Sequence, residues 1–322
     1  MKIALVGGGQ GLLTALTILR PWCDEIPCYF SSRHGKELID GIVLKNHLSK
    51  IDVAHWEANT EKEFAQLIEN KEFDLVFGMG PEWIFSASTL SLAKRWININ
   101  IIPFPRYLGG AHVTWQILNS DLEGCVVFQE MISEVDKGEI LAKFDFLYSS
   151  TNDNPKVRFE RNQEELKKKL PEFMSNYSLE NTFQQPLNAN QESEYWPRLR
   201  TEIHGWIDWS WSAQDILRFI SAFSSPYPGA RTRLGNDVIL IRSGKILELR
   251  DFHPFSAGII LRKKDEIWLA VACRDAVMEL ECELPNQLIK TFLNGSRLFT
   301  TQDDLETARR RNLKTRDFKV SN

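Results

Sequence analysis

Residues 2–19, KIALVGGGQGLLTALTIL, set the fold class. The apolar run KIALV stops at Gly7, and a stretch with helical spacing follows over Leu12–Leu19. Strand, glycine turn and helix in that order open an α/β unit. The same grammar continues downstream. Glu25–Ser31 reads as a second strand, and residues 73–77 (FDLVF) as a third that ends at Gly78. Residues 96–102 (WININII) read as a fourth, closed by Pro103 and Pro105. Phe64–Ile68 and His112–Leu118 have helical spacing, and Cys125–Met131 is rich in β-formers. Strands separated by helical stretches predict a mostly parallel sheet.

The composition shifts near residue 149. SSTNDNPKV (149–157) is a loop, 159–177 holds a charged helix, and 178–195 is a polar linker. A second unit follows. One amphipathic helix lies within Trp206–Phe223, and Pro226, Pro228 and Gly229 make a turn. Short strands are expected at 237–242, 258–262, 266–272 and 277–282, a small β-rich, barrel-like unit. The expected boundaries are 1–178, a linker over 179–204, 205–300, and a basic tail over 301–322. A chain of 322 residues suits two domains at about 150 residues each.

Hydrophobic residues at 43% and charged residues at 25% exclude a wholly disordered chain. A net charge of −4 argues against a nucleic-acid coat, because phosphate binding runs on Lys and Arg. The five cysteines (23, 28, 125, 273, 282) form no C-x-x-C pair. That spacing predicts neither a disulfide framework nor a zinc knuckle, and a reducing, cytoplasmic setting. No apolar run reaches a membrane-spanning length, and the first residues read as a strand rather than a signal peptide.

Gly7-Gly8-Gly9-Gln10-Gly11 resembles a dinucleotide turn, yet the third glycine position holds Leu12. The second strand ends in Ser31-Ser32-Arg33, without the acid that binds a ribose. Close strand–helix packing is the favoured reading. A phosphate at the helix N-terminus is the alternative.

The chemistry is carried by residues 98–141. Asn98-Ile99-Asn100-Ile101 leads into Ile102-Pro103-Phe104-Pro105-Arg106-Tyr107-Leu108-Gly109-Gly110, and Glu134-Val135-Asp136-Lys137-Gly138 follows. Ligands in open parallel sheets bind beyond the carboxyl ends of strands. An amide there can donate to a carbonyl oxygen, as acyl transfer requires. Asn98 and Asn100 could equally cap loop backbone.

The segment resembles the signature of the folate-dependent formyltransferases, N-x-H, then L-P-x-Y/W-x-G, then D-x-G. Pro105–Gly109 matches the middle portion, Asn98 falls on the family Asn and Asp136 on its Asp. Tyr195-Trp196-Pro197-Arg198, Gly205-Trp206-Ile207-Asp208-Trp209, Ser225-Pro226-Tyr227-Pro228-Gly229-Ala230 and Phe292-Leu293-Asn294-Gly295 resemble its carboxy-terminal domain. The resemblance implies a Rossmann-like amino-terminal domain that binds 10-formyltetrahydrofolate as co-substrate. It places Asn98, Asn100 and Asp136 in catalysis. It sets Gly78, Met79, Gly80, Pro81, Ile102, Pro103, Phe104, Pro105 and Asp136 around the folate. Tyr107, Gly109, Gly110 and His112 would then meet the acceptor.

The family His position holds Asn100, which donates a hydrogen bond but cannot titrate. Losing a general acid–base group costs about 10²–10⁴-fold. Three accounts compete: the two asparagines hold the oxyanion while Asp136 takes the proton, His112 supplies the imidazole, or the fold binds without formyl transfer. The remaining histidines (34, 47, 55, 204, 253) have no metal spacing and read as surface or core residues.

The family's acceptors are amino-sugar nucleotides, other small amines, and initiator methionyl-tRNA. Residues 307–322 hold six basic residues against Asp317, and 156–169 hold six against three acids. Neither makes an RNA surface; the second reads as an exposed helix with i,i+4 pairs. The PYPGA and IDW pieces favour an amino-sugar nucleotide over tRNA, and Trp83, Trp115, Trp206, Trp209 and Trp211 suit planar ligands or packing. A homodimer is compatible with this class.

Overall fold

A computed structural model of the chain describes residues 1–151, 153–177 and 193–310. The expected linker (179–204) and basic tail (301–322) therefore lie partly outside the described residues.

Seven strands form the first sheet: β1 (Ile3–Gly7), β2 (Cys28–Ser31), β3 (His55–Ala58), β4 (Phe73–Met79), β5 (Ala93–Ile101), β6 (Glu123–Glu130) and β7 (Ile140–Leu147). Their order is β3-β2-β1-β4-β5-β6-β7. The first five run parallel, and β6 and β7 complete the sheet antiparallel. The order reverses between β1 and β4, the switch point at which α/β sheets open a crevice.

Helices cover the sheet because each presents an apolar stripe. The helices α1 (Gly9–Leu19), α2 (Glu61–Ile68), α3 (His112–Leu118) and α4 (Pro155–Asn176) follow in chain order. The starts of α2 and α4 are capped, by the Thr60 hydroxyl accepting from Glu63 N and the Asn154 side chain accepting from Val157 N. On one face α1 and α4 bury Leu12, Leu16, Leu170 and Phe173 against Leu75, Phe77, Ile97, Ile99 and Phe128. Phe128 and Phe173 stack with ring centres 4.1 Å apart. On the other face α2 lays Phe64 and Ile68 over Val6, Val76 and Trp96.

The second unit is an antiparallel sheet of six strands: β8 (Ala230–Leu234), β9 (Asp237–Leu249), β10 (Ile260–Lys263), β11 (Trp268–Ala272), β12 (Ala276–Glu283) and β13 (Leu298–Phe299). In the order β10-β11-β12-β9-β8-β13 the sheet curls until its ends meet. Ile260 N donates to Ser296 O at 2.8 Å, and Leu298 N donates to Gly258 O at 2.8 Å. A Cβ on Gly258 would stand 2.1 Å from Leu298 O, so only glycine permits this closure. The helix α5 (Ala213–Ala222) puts Ile216, Phe219 and Ile220 into the barrel cluster, and Val113 and Ile117 of α3 join it. A last helix, α6 (Gln302–Arg309), follows the barrel.

The helix expected within Trp206–Phe223 starts only at Ala213, after the Ser212 cap accepts from Asp215 N. Strands β3, β7, β8 and β13 carry no clear apolar period and were not expected. β7 is an edge strand with a half-exposed pattern, and β13 has two residues.

Phe128 is fully buried between β5 and α4. Phe128→Ala is expected to cost about 3–5 kcal/mol of unfolding free energy in urea titration, from lost transfer and the cavity left.

Candidate functional site

Strand β5 alternates. Ile97, Ile99 and Ile101 face the α1–α4 side, so Asn98 and Asn100 face the opposite side with Trp96. Asn98 pairs with Gly78 of β4 and with Gln129 of β6, and Asn100 with Val127. Neither asparagine side chain bonds to another described residue, so they do not cap loop backbone. Asn98 Oδ1 is buried without a partner. A buried amide oxygen left unpaired costs about 1–3 kcal/mol, so its retention points to use by a ligand. A Cβ on Gly78 would lie 3.1 Å from that oxygen and 2.0 Å from Met131 Cε. The absence of a side chain at Gly78 therefore lets the Met131 methyl pack in beside the Asn98 oxygen.

The glycine turn is packed. A Cβ on Gly7 would stand 2.2 Å from Met79 O, one on Gly8 2.6 Å from the His34 ring, and one on Gly11 2.6 Å from Met79 Cε. Gly8 N donates to Met79 O at 3.1 Å. The Glu37 carboxylate accepts from the Gly9 backbone N–H at the head of α1. A carboxylate at the head of α1 disfavours a phosphate there. Burial pushes His34 down to about 4, which keeps it neutral beside Ser31 Oγ and the Arg33 guanidinium. Glu82 pairs with Arg33 at 3.4 Å. His34 is the core residue the sequence allowed, and Glu37 was not singled out because its neighbour Gly9 lies in a turn far back in the chain.

The Pro-rich loop is tied down from outside. Glu194 N donates to Pro105 O at 3.2 Å, Leu108 N to Glu194 O at 2.9 Å, and Trp196 N to Leu108 O at 2.7 Å. Gly109 has φ +116°, and a Cβ there would stand 2.2 Å from Trp196 O. Tyr107 is buried with its ring on Trp196, 5.5 Å between centres, and its hydroxyl accepts from Asn119 Nδ2. Trp196 in turn leans on Trp115, whose Nε1 donates to Pro197 O at 2.8 Å. Phe104 packs over Cys125, Val127 and Ile140, next to Asn100.

The acidic turn is anchored on β6. Gln129 Nε2 donates to Gly138 O at 3.0 Å, and Glu130 N to Glu139 O at 2.8 Å. A Cβ on Gly138 would stand 1.7 Å from Glu130 O. Asp136 lies in the turn with φ +57°, half-buried, and burial raises its carboxyl above the ordinary range. Lys137 opposes that shift.

Residues 201–297 match the family described as formyl transferase, C-terminal domain. Among solved structures, the chain resembles WlaRD, a sugar 3N-formyl transferase determined with dTDP and 5-N-formyl-THF. The identity is 14% over 88% of this chain and 98% of that one, with a TM-score of 0.63. It resembles equally an N-formyltransferase from Helicobacter canadensis in complex with folinic acid and dTDP-3-aminofucose. There the identity is 14% over 88% of this chain and 100% of that one, with a TM-score of 0.63. HypX from Aquifex aeolicus, in complex with tetrahydrofolic acid, matches at 16% identity over 87% of this chain with a TM-score of 0.58. The chain spans only 43% of HypX. This is a formyltransferase fold.

Within this formyltransferase fold, the residues expected around the folate separate into two groups. Gly78, Asn98 and Asn100 share one face, with Phe104 packed next to it and the Asp136 turn anchored on its flanking strand. Gly80 and Pro81 continue from β4 as an open turn, and Ile102 and Pro103 are buried at the start of the loop. The Met79 side chain packs on the α1 face beneath the glycine turn. Tyr107 and Gly109, expected to meet the acceptor, serve the contact with Trp196. Gly110 is exposed beside the Arg198 side chain. His112 opens α3, bonds to no other described residue, and is held neutral by burial, down to about 4. The tryptophans largely pack: Trp83 stacks on Phe64, and Trp209 Nε1 donates to Thr232 Oγ1. A cavity of about 410 Å³ lies between α3, α5 and α6, lined by Trp115, Trp206, Trp211 and Phe219. Its rim charges are paired, Arg218 with Asp215 and Arg309 with Asp208.

Gly109→Ala places a side chain at positive φ and against the Trp196 carbonyl. It is expected to detach residues 194–197, read as a red shift of tryptophan emission and a stability loss of about 1–2 kcal/mol or more.

Proposed function

We propose that this chain transfers a formyl group from 10-formyltetrahydrofolate to a primary amine, with a nucleotide-linked amino sugar as acceptor. The observation that carries the reading is the Asn98 amide, which bonds to no described residue at the carboxyl end of a central parallel strand beside Gly78, its buried Oδ1 open to an N–H of the ligand and its Nδ2 free to donate. The bound folate and dTDP-sugar in the similar structures support the donor and acceptor classes.

The Phe104 ring and the Asn98 amide, with Nδ2 free to donate and Oδ1 to accept an N–H, suit a flat heterocycle with a formyl carbonyl at its edge. When bound, the folate supplies that activated carbonyl. Asn98 Nδ2 donates to its oxygen, where charge develops as the amine attacks. Asn100 stands two residues on along the same face and adds a second amide donor. The proton leaving the amine goes to the Asp136 carboxylate, because Asn100 cannot titrate and burial raises the half-buried carboxyl; as the tetrahedral adduct collapses the formyl carbon–N10 bond breaks, and the same proton passes to N10 of the departing tetrahydrofolate.

Transfer RNA is the weaker acceptor. Four of the six basic residues of α4 are engaged with acids of the same helix, Lys156 with Glu160, Arg161 with Glu164 and Glu165, Lys168 with Glu165, and Lys169 with Glu172, and buried Arg158 donates to Asp121 O. That pattern leaves no basic stripe on α4 for phosphates.

Formyl transfer to dTDP-amino sugars, followed by mass spectrometry, tests the reading; absence of formylated product from every amine tried, with folate unbound in calorimetry, overturns it. Asn98→Ala is expected to lower kcat about 10²–10³-fold. Asp136→Asn should abolish turnover while 5-formyltetrahydrofolate still binds. The base works deprotonated, so activity is present above the Asp136 pKa and lost as pH falls through it. Because burial raises that pKa, the acid limb of kcat should lie above the ordinary aspartate range.

A further inference from the structure

The proposed base sits on a turn rather than on a strand, and a base must be held closely to be useful: a displacement of about 1 Å can cost 10²-fold. The side chain that fixes this turn is Gln129. It is 2% exposed and lies directly across from Asn98 in the β5–β6 pair, so both side chains stand on the same face. Its Nε2 donates to Gly138 O at 3.0 Å, two residues beyond Asp136. The fit is tight at that point, since a Cβ on Gly138 would come within 1.7 Å of Glu130 O. The β6–β7 register shifts between Phe128 and Gln129, which marks the place where the strand gives way to the turn. In the described structure Asp136 itself has no side-chain hydrogen bond to another described residue. Its position is therefore set through the backbone of its own turn, and Asn100 offers no imidazole to take part.

We infer that Gln129 is a positioning residue, a strut that holds the Asp136–Gly138 turn against the strand that carries Asn98. This rests on the formyltransferase reading for its catalytic consequence, but the strut itself is testable without activity.

The test compares the wild-type chain with Gln129→Leu and with Gln129→Met, which keeps length and volume but donates nothing. Kinetics with 10-formyltetrahydrofolate and the dTDP-amino sugar are measured across pH. Carbon-13 NMR titrates the Asp136 carboxyl, assigned by its loss in Asp136→Asn. The expected result is a kcat lower by about 10²-fold, with KM for the folate changed less than about twofold. With the turn released into water, the Asp136 midpoint and the acid limb should both move to lower pH, since burial raises them now. A wild-type kcat in Gln129→Met, or an equal loss at every pH with an unmoved carboxyl titration, overturns the strut. An inactive wild-type chain overturns the formyltransferase reading instead, and the NMR titration still decides the strut. If Gln129→Leu fails to fold, Gln129→Met carries the comparison.

Discussion

The alternation along β5 is the constraint on which the rest of the molecule depends. Ile97, Ile99 and Ile101 hold the strand in the larger core, and their burial leaves Asn98 and Asn100 no choice of face. A slip of one residue would put both amides into that core and all three isoleucines into the cleft, at a cost far beyond the stability of a domain. The site thus borrows its accuracy from the core. Its immediate neighbours, Gly78 and Gln129, are fixed by the parallel and antiparallel registers of the same strand. One strand supplies the donor amide, sets Gly78 beside it, and anchors the acidic turn through Gln129.

With Asn100 in place of an imidazole, the groups near this face that can change charge at neutral pH are few. His112 and His34 are both driven down to about 4 and stay neutral through the working range. The pressure on Asp136 is opposite in kind: burial favours its neutral acid and so raises its pKa. A low dielectric around the two amides strengthens their hydrogen bonds to a carbonyl oxygen, and the same low dielectric makes the single carboxylate a stronger base. The two effects share one physical cause, removal from water.

Much of this was legible in the sequence because it was local. The α/β opening, the strand carrying Asn98 and the helix His112–Leu118 follow from short apolar runs bounded by Gly and Pro, and the structure has them. The carboxy-terminal motifs indicated a β-rich unit, and the barrel is there. What was not legible depends on distance along the chain. The Met79 side chain fills the glycine turn, a contact no local motif marks. Tyr107 and Gly109 meet residues 194–197, a segment far along the chain. Glu37 had no period or motif to mark it, yet it is the group that closes the head of α1. Gln129 read as one more polar residue in a strand, because its partner Gly138 lies beyond a turn of unknown path.

The return of residues 194–197 also explains why the barrel matters to chemistry done on the other unit. The Pro-rich loop has few bonds of its own beyond Phe104 N to Ile102 O and Arg106 N to Pro103 O. Its outer edge is held by a segment that leads directly into the second unit, through three backbone bonds and the Tyr107–Trp196–Trp115 seam. Helix α3 carries Trp115 on this seam and Val113 and Ile117 into the barrel cluster. The helix behind the loop is thus packed on the barrel, and the loop beside the amides is held by the segment that leads into it. Loosening that packing would move the loop relative to β5 while leaving β5 itself in place. The barrel therefore bears on the proposed site through α3 and residues 194–197, while the parallel sheet carries the two amides.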